Sequence, residues 1–241
     1  FSQAPYFWPD PASSNGLPYI AHDGRVNPES RTAASDENRV STLGETVRTL
    51  ALAYYFTGKE AYARHAARCL RVWFLDPATR MNPNLEHAQA IPGINHGRGI
   101  GIIESRGLLP LIDGLALLAG SPAWTAQDAA AMTAWLAAYY GWLTTSKHGR
   151  DEAAAENNHG SWYLAQTIAI ARFVGQDDLA RKLCVGDRKR LDRQIMADGS
   201  QPFELTRADS LGYSVFNLEA QFRVAELAAQ LGIDLWQNGT P

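Results

Sequence analysis

The chain has 241 residues, of which 46% are hydrophobic, 20% charged and 10% aromatic. That composition excludes a disordered, collagen-like or coiled-coil chain, and the length suits one large domain or two small ones. No apolar run reaches the ~18 residues of a membrane span, and 22 basic against 25 acidic residues, with no basic block, argues against a nucleic-acid partner.

Residues 1–40 read as irregular. Pro5, Pro9, Pro11, Pro18 and Pro28 break any helix, and Gly16 and Gly24 offer turns. The start, Phe1-Ser2-Gln3-Ala4, has no initiator Met and no positive n-region, which reads as a processed or trimmed start. The first helix is expected over 42–56, where Leu43, Val47, Leu50, Ala51, Tyr54 and Tyr55 follow a 3.6-residue period until Gly58 stops it. A second is expected over 60–74, ending before Asp76-Pro77. A third spans 104–119, with Pro110 in its first turns or kinking it. Thr125-x-x-Asp128 has the form of a capping box, opening a fourth helix to about Thr145. Three more are expected over 160–174, 178–196 and 215–231. Strand signals are weak; Ile100 to Ile103 reads as readily as the lead-in to a helix. Cys69 and Cys184, beside apolar residues in helical segments, read as buried free thiols. The end, Gln237 to Pro241, reads as a loop cut short. The expectation is one domain over 1–241, continuing in the natural protein at both ends.

Four glycines, Gly58, Gly120, Gly175 and Gly232, recur about 60 residues apart, each after an apolar helical segment. The run Gly58-Lys59-Glu60-Ala61-Tyr62-Ala63-Arg64 resembles Gly175-Gln176-Asp177-Asp178-Leu179-Ala180-Arg181. A period near one helix pair points to stacked antiparallel hairpins that bury their faces on neighbours. The fold expected is all-α, an incomplete (α/α) toroid.

In such a ring the chemistry sits in loops at one end. Three polar segments are not explained by periodicity. Asn157-Asn158-His159-Gly160-Ser161-Trp162 precedes an apolar helix; one Asn suffices for a cap, and the remaining donors at a helix N-terminus suit an anion. Arg207 and Tyr213 lie in a polar stretch before the last helix. The run from Gln89 to Glu104 holds four glycines with Asn95, His96 and Arg98; it lacks the Gly-Lys-Ser/Thr and βαβ context of a phosphate loop, so it reads as a ligand-lining loop or a plain turn. None of the six His forms a metal-binding i, i+4 pair around a Glu, and no Gly-x-Ser-x-Gly elbow is present.

Taken together, Asn-Asn-His-Gly-Ser-Trp with an Arg and a Tyr about fifty residues later resembles the alginate lyase family, poly(β-D-mannuronate) lyases on an α/α toroid. The resemblance runs from about Asn27 onward; the family has a longer N-terminal part and further helices after the Tyr. It implies β-elimination on a polyuronate, alginate above all, with another polyuronate such as glucuronan as an alternative. It implies Asn158, with His159 and Arg207, as donors that neutralise the substrate carboxylate, and Tyr213 as the acid on O4. On mannuronate, where H5 and O4 share a face, Tyr213 could also be the base if Arg207 lowered its pKa; on guluronate His159 is the better base. Arg25, Gln89, Asn95 and Arg98 are candidate subsite contacts, and Trp162 a candidate stacking surface. No metal or cofactor is implied, and a secreted or periplasmic location follows from the polymer. Two other readings stand beside this one: a glycoside hydrolase using two of Glu104, Glu204 and Asp209, and a non-catalytic carbohydrate-binding domain.

Overall fold

The structure is a computed structural model and describes residues 1–236; the terminal loop expected over 237–241 lies outside the described residues. Among the described residues the regular structure is helical apart from one two-stranded ribbon. Its helices are α1 (Glu37–Thr57), α2 (Glu60–Leu70), α3 (Leu108–Leu117), α4 (Ala126–Thr145), α5 (Lys147–Ala153), α6 (Asn158–Phe173), α7 (Asp177–Gln194), α8 (Pro202–Leu205) and α9 (Ser210–Ala229). The expected all-α architecture is therefore observed.

The four turn glycines do what their recurrence suggested. Gly58, Gly120, Gly175 and Gly232 all have φ between 64° and 90°, just past the ends of α1, α3, α6 and α9. A Cβ at any of them would meet nothing within 4 Å. The requirement is conformational rather than steric: the left-handed region costs an L-residue roughly 1–2 kcal/mol.

The helix ends show which local signals carried. The capping box is complete, with the Thr125 amide donating to Asp128 Oδ2 at 2.9 Å and the Asp128 amide donating to Thr125 Oγ1 at 3.1 Å. Pro110 is the third residue of α3, where its missing N–H costs no helical hydrogen bond. Residues Gly99–Gly107 form a 3-10 helix leading into α3, so the stretch Ile100 to Ile103 is a helical lead-in and not a strand. Beyond α2 the chain widens into a π turn over Arg71–Leu75, closed by the Asp76 amide on the Arg71 carbonyl at 2.8 Å. Two helices begin five residues earlier than their apolar period indicates. In α1 the extra turn is polar and held by Arg39–Asp36; in α9 it is capped by Asp209, which accepts the Gly212 amide at 3.1 Å.

Helix α1 packs on α2 and α3, α3 on α6, and α6 on α7 and α9. Short connections, two residues between α1 and α2 and three between α6 and α7, make these pairs hairpins. Apolar side chains form two cores that meet at α6. One holds Leu70, Phe74, Leu111, Met132, Leu136, Tyr139 and Ile170. The other holds Leu164, Ile168, Cys184, Ala220 and Val224. Each fully buried Leu or Ile contributes roughly 1.5–3 kcal/mol. Both cysteines are free, Cys184 buried and Cys69 half-buried. Helix α6 is buried along nearly its whole length, with Ala165, Ala169 and Ala171 admitting its neighbours closely. Its first turn is thus a rigid platform.

The N-terminal segment is ordered by backbone pairing. Strands β1 (Phe7–Trp8) and β2 (Ile20–Ala21) form an antiparallel ribbon, and the Ser2 and Ala4 amides donate to the His87 and Ala90 carbonyls at 3.1 and 2.9 Å. This lays residues 1–24 across the end of the helical stack from which α6 and α9 begin. Among the described residues, no helix is long and apolar enough to cross a membrane.

Candidate active site

A cavity of about 1090 Å³ opens at that end, between the N-terminal ribbon, the 3-10 segment and the starts of α6 and α9. Asn158, His159, Arg207 and Tyr213 all line it, as do Gln89 and Arg98. Two pairs of side chains some fifty residues apart in sequence thus share one polar hollow.

Asn158 and His159 are the first two residues of α6. Asn157 caps the helix, accepting the His159 amide at 3.2 Å, so each of the three motif residues has its own task. Gly160 follows because a Cβ there would collide with the Ala155 carbonyl and the Arg190 guanidinium. Asn158 is fully buried and held by Glu204: its amide donates to Oε1 at 2.6 Å and its Nδ2 to Oε2 at 2.8 Å. One Nδ2 hydrogen remains for a ligand. His159 Nδ1 lies 2.9 Å from Oε1 of Glu152, a fully buried carboxylate on α5.

Tyr213 stands in the first turn of α9, not in a loop as its polar surroundings implied. Its hydroxyl is 2.6 Å from that of Tyr6. The Arg207 guanidinium lies over the Tyr213 ring, 3.6 Å from the centroid, and Asp23 grips it at both ends, with Nε at 3.1 Å and Nη2 at 2.6 Å. That fork, with the Ala208 amide, pulls the Asp23 carboxyl down to about 2. The expected lowering of the Tyr213 pKa by Arg207 is not what the geometry produces. Burial, then the hydrogen bond with Tyr6, raise the phenol well above its ordinary value and outweigh the guanidinium. Tyr213 rests as a neutral phenol, able to give a proton.

Across the cavity Arg98 donates from Nη2 to Gln89 Oε1 at 2.7 Å and lies over the Phe7 ring at 5.0 Å. Its Nε is buried without a protein partner. Burial pulls this guanidinium down to about 10, which leaves it charged at neutral pH. Gln89 has φ 50°, the one non-glycine residue in the left-handed region among the described residues; such strain persists where surrounding structure imposes it, commonly at ligand sites. Glu104, also on the wall, is 7% exposed and accepts from Ser2 Oγ at 2.5 Å. Burial pushes its carboxyl up to about 7.

Three sequence candidates fall outside the lining. Trp162 is buried in the second core, its ring 5.1 Å from Phe216, so it packs the fold instead of stacking on a sugar. Arg25 is exposed, over Trp8 at 5.7 Å. Asn95 accepts the Ile91 amide at 3.1 Å and shapes its own turn. The carboxylates a hydrolase would use are otherwise engaged: Glu204 by Asn158, Asp209 by the α9 cap and Glu104 by Ser2. Among the described residues, no three His, Cys, Asp or Glu side chains gather as a metal site requires.

The sequence matches the alginate lyase family over residues 1–241. The chain belongs to the alginate lyase family. The crystal structure of an alginate lyase from Bacteroides ovatus is similar to this family member, with a TM-score of 0.94 and 42% identity over 98% of the chain. The chain spans 62% of the length of that protein. No curated protein matches the sequence significantly. In this alginate lyase family member, Tyr6, Asp23 and Glu152 went unmarked in the sequence. Tyr6 and Asp23 sit in the proline-rich segment and meet their partners across some two hundred residues, a distance no local pattern spans.

Proposed function

We propose that this chain cleaves alginate by β-elimination, breaking the C4–O4 bond and leaving an unsaturated uronate end. The observation that carries the reading is the convergence of Asn158, His159, Arg207 and Tyr213 on one cavity. Elimination removes the C5 proton, which lies α to the C6 carboxylate. The carbanion-like state is accessible only if donors neutralise that carboxylate as charge develops. Asn158, preset by Glu204, and the cation Arg207 are the donors on hand. Arg98, with a free buried Nε, suits the carboxylate of a neighbouring sugar. The neutral Tyr213 phenol protonates O4 as it leaves. His159, with Nδ1 tied to Glu152, has Nε2 left to accept H5. The substrate is an acidic polysaccharide met outside the cytoplasm.

On mannuronate, the block expected from the sequence, Tyr213 would have to serve both steps on a shared face. One observation favours a second reading. Because Tyr213 rests protonated, a separate base and acid, His159 and Tyr213, suit guluronate, whose H5 and O4 lie on opposite faces. Replacing Tyr213 by Phe tests the common core: turnover measured by ultraviolet absorbance should fall by about 10²- to 10⁴-fold with KM nearly unchanged. Activity within a few-fold of wild type would remove Tyr213 from the chemistry.

A further inference from the structure

Glu152 is a group that the elimination chemistry does not by itself require. It lies on α5, side chain fully buried, with Oε1 on His159 Nδ1 at 2.9 Å and Oε2 buried with no hydrogen-bond partner. Burying a carboxylate is costly, and leaving one oxygen unsatisfied adds to the cost. Anchoring the end of α5 does not call for it, because Arg190 of α7 already donates to the Ala155 and Ala153 carbonyls at 2.7 and 3.1 Å. The groups facing Glu152 from the packed elements are His159 and Tyr163 of α6, Tyr139 of α4 and the Arg98 guanidinium ahead of the 3-10 segment. On its own helix the charged pair Lys147–Asp151 is exposed. Tyr139 hydrogen-bonds Ser105 and Tyr163 the Leu143 carbonyl, so the one direct bond to the Glu152 side chain comes from His159.

An imidazole whose Nδ1–H is given to a carboxylate has one tautomer left: Nε2 carries the lone pair. We propose that Glu152 is a positioning residue that fixes His159 in the Nδ1–H form, leaving Nε2 as the proton acceptor in the cavity; this deepens the lyase reading and rests on it. As H5 leaves C5, its proton passes to Nε2, and the imidazolium that forms is stabilised by the Glu152 carboxylate at Nδ1. The electron pair released at C5 expels O4, which takes its proton from Tyr213.

The test is Glu152→Gln, which keeps shape and removes charge, with Glu152→Asp as the charge-keeping control. Nitrogen-15 NMR of histidine-labelled, ligand-free protein reads the tautomer without substrate. Wild type should show an unprotonated Nε2 on His159, and Glu152→Gln a mixture or the reverse. On alginate, kcat should fall by roughly 10²- to 10⁴-fold with KM within a few-fold. The acid limb of kcat/KM should move about one pH unit lower, because the imidazolium has lost its counter-charge. Glu152→Asp should return that limb toward wild type. An unchanged tautomer in Glu152→Gln overturns the proposal. So does lost activity with an unmoved acid limb and a parallel fall in melting temperature, the mark of a mere packing role. The tautomer change in a protein that cleaves no polyuronate would uphold the assignment to Glu152 and remove the lyase reading instead.

Discussion

Replacing Glu104 by Gln should remove much of the loss of stability that wild type undergoes as pH rises toward neutrality. The carboxyl is 7% exposed, and burial lifts it from 4.5 to about 7. A raised acid is held protonated by the fold. Its stability is therefore whole below pH ~4.5 and falls as pH rises through about 7, because the unfolded chain releases the proton first. At 1.36 kcal/mol per unit the loss approaches roughly 3 kcal/mol above pH 7. Gln keeps an oxygen for Ser2 Oγ and has no proton to lose. Urea unfolding followed by tryptophan fluorescence at pH 5 and pH 8 reads the difference. With a slope of roughly 1–3 kcal/mol/M, the wild-type midpoint should drop by about 1 M or more relative to that of the variant. Equal pH dependence in the two proteins would show that Glu104 is hydrated or paired in a way that contradicts its burial. The same titration reaches the site, since an ionised Glu104 on the cavity wall repels a polyanion. Wild-type KM for alginate should climb as pH passes about 7, and Glu104→Gln should flatten that rise.

Asp23→Ala releases the Arg207 guanidinium from its fork and should cost about 10- to 100-fold in kcat/KM with little change in melting temperature, since the pair is partly exposed; wild-type turnover would show that the Tyr213 ring alone positions Arg207. Arg98→Ala should raise KM for oligouronates by about tenfold and leave kcat within a few-fold, as loss of uniform binding does; an unchanged KM would place no carboxylate there. Gly175→Ala should lower stability by roughly 1–2 kcal/mol in thermal or urea melts although nothing crowds the site. Wild-type stability would mean the turn is not held left-handed.

What the sequence disclosed follows the range of the interactions involved. The recurrence of Gly58, Gly120, Gly175 and Gly232 exposed the hairpin repeat because each turn sets its own φ through one residue. The capping box at Thr125 is equally local. Helix α5 escaped notice because its seven residues, Lys-His-Gly-Arg-Asp-Glu-Ala, carry no apolar stripe and depend on the Ser146 cap and on packing against α6. The site divides the same way. Asn158 and His159 stood out because a cap explains one Asn and not the residues beside it. Tyr6, Asp23 and Glu152 act through geometry that only the folded chain assembles. Trp162 shows the converse: beside a polar motif it suggested sugar stacking, yet its side chain faces inward from α6 to Phe216. The sign of the Tyr213 shift depends on burial and on Tyr6, neither of which its sequence neighbours reveal.

The most direct measurement incubates the protein separately with poly-mannuronate, poly-guluronate and glucuronan, following ultraviolet absorbance and new reducing ends together. The account predicts that absorbance and reducing ends rise in step on alginate blocks. Reducing ends without absorbance, or neither signal on all three polymers, would contradict it.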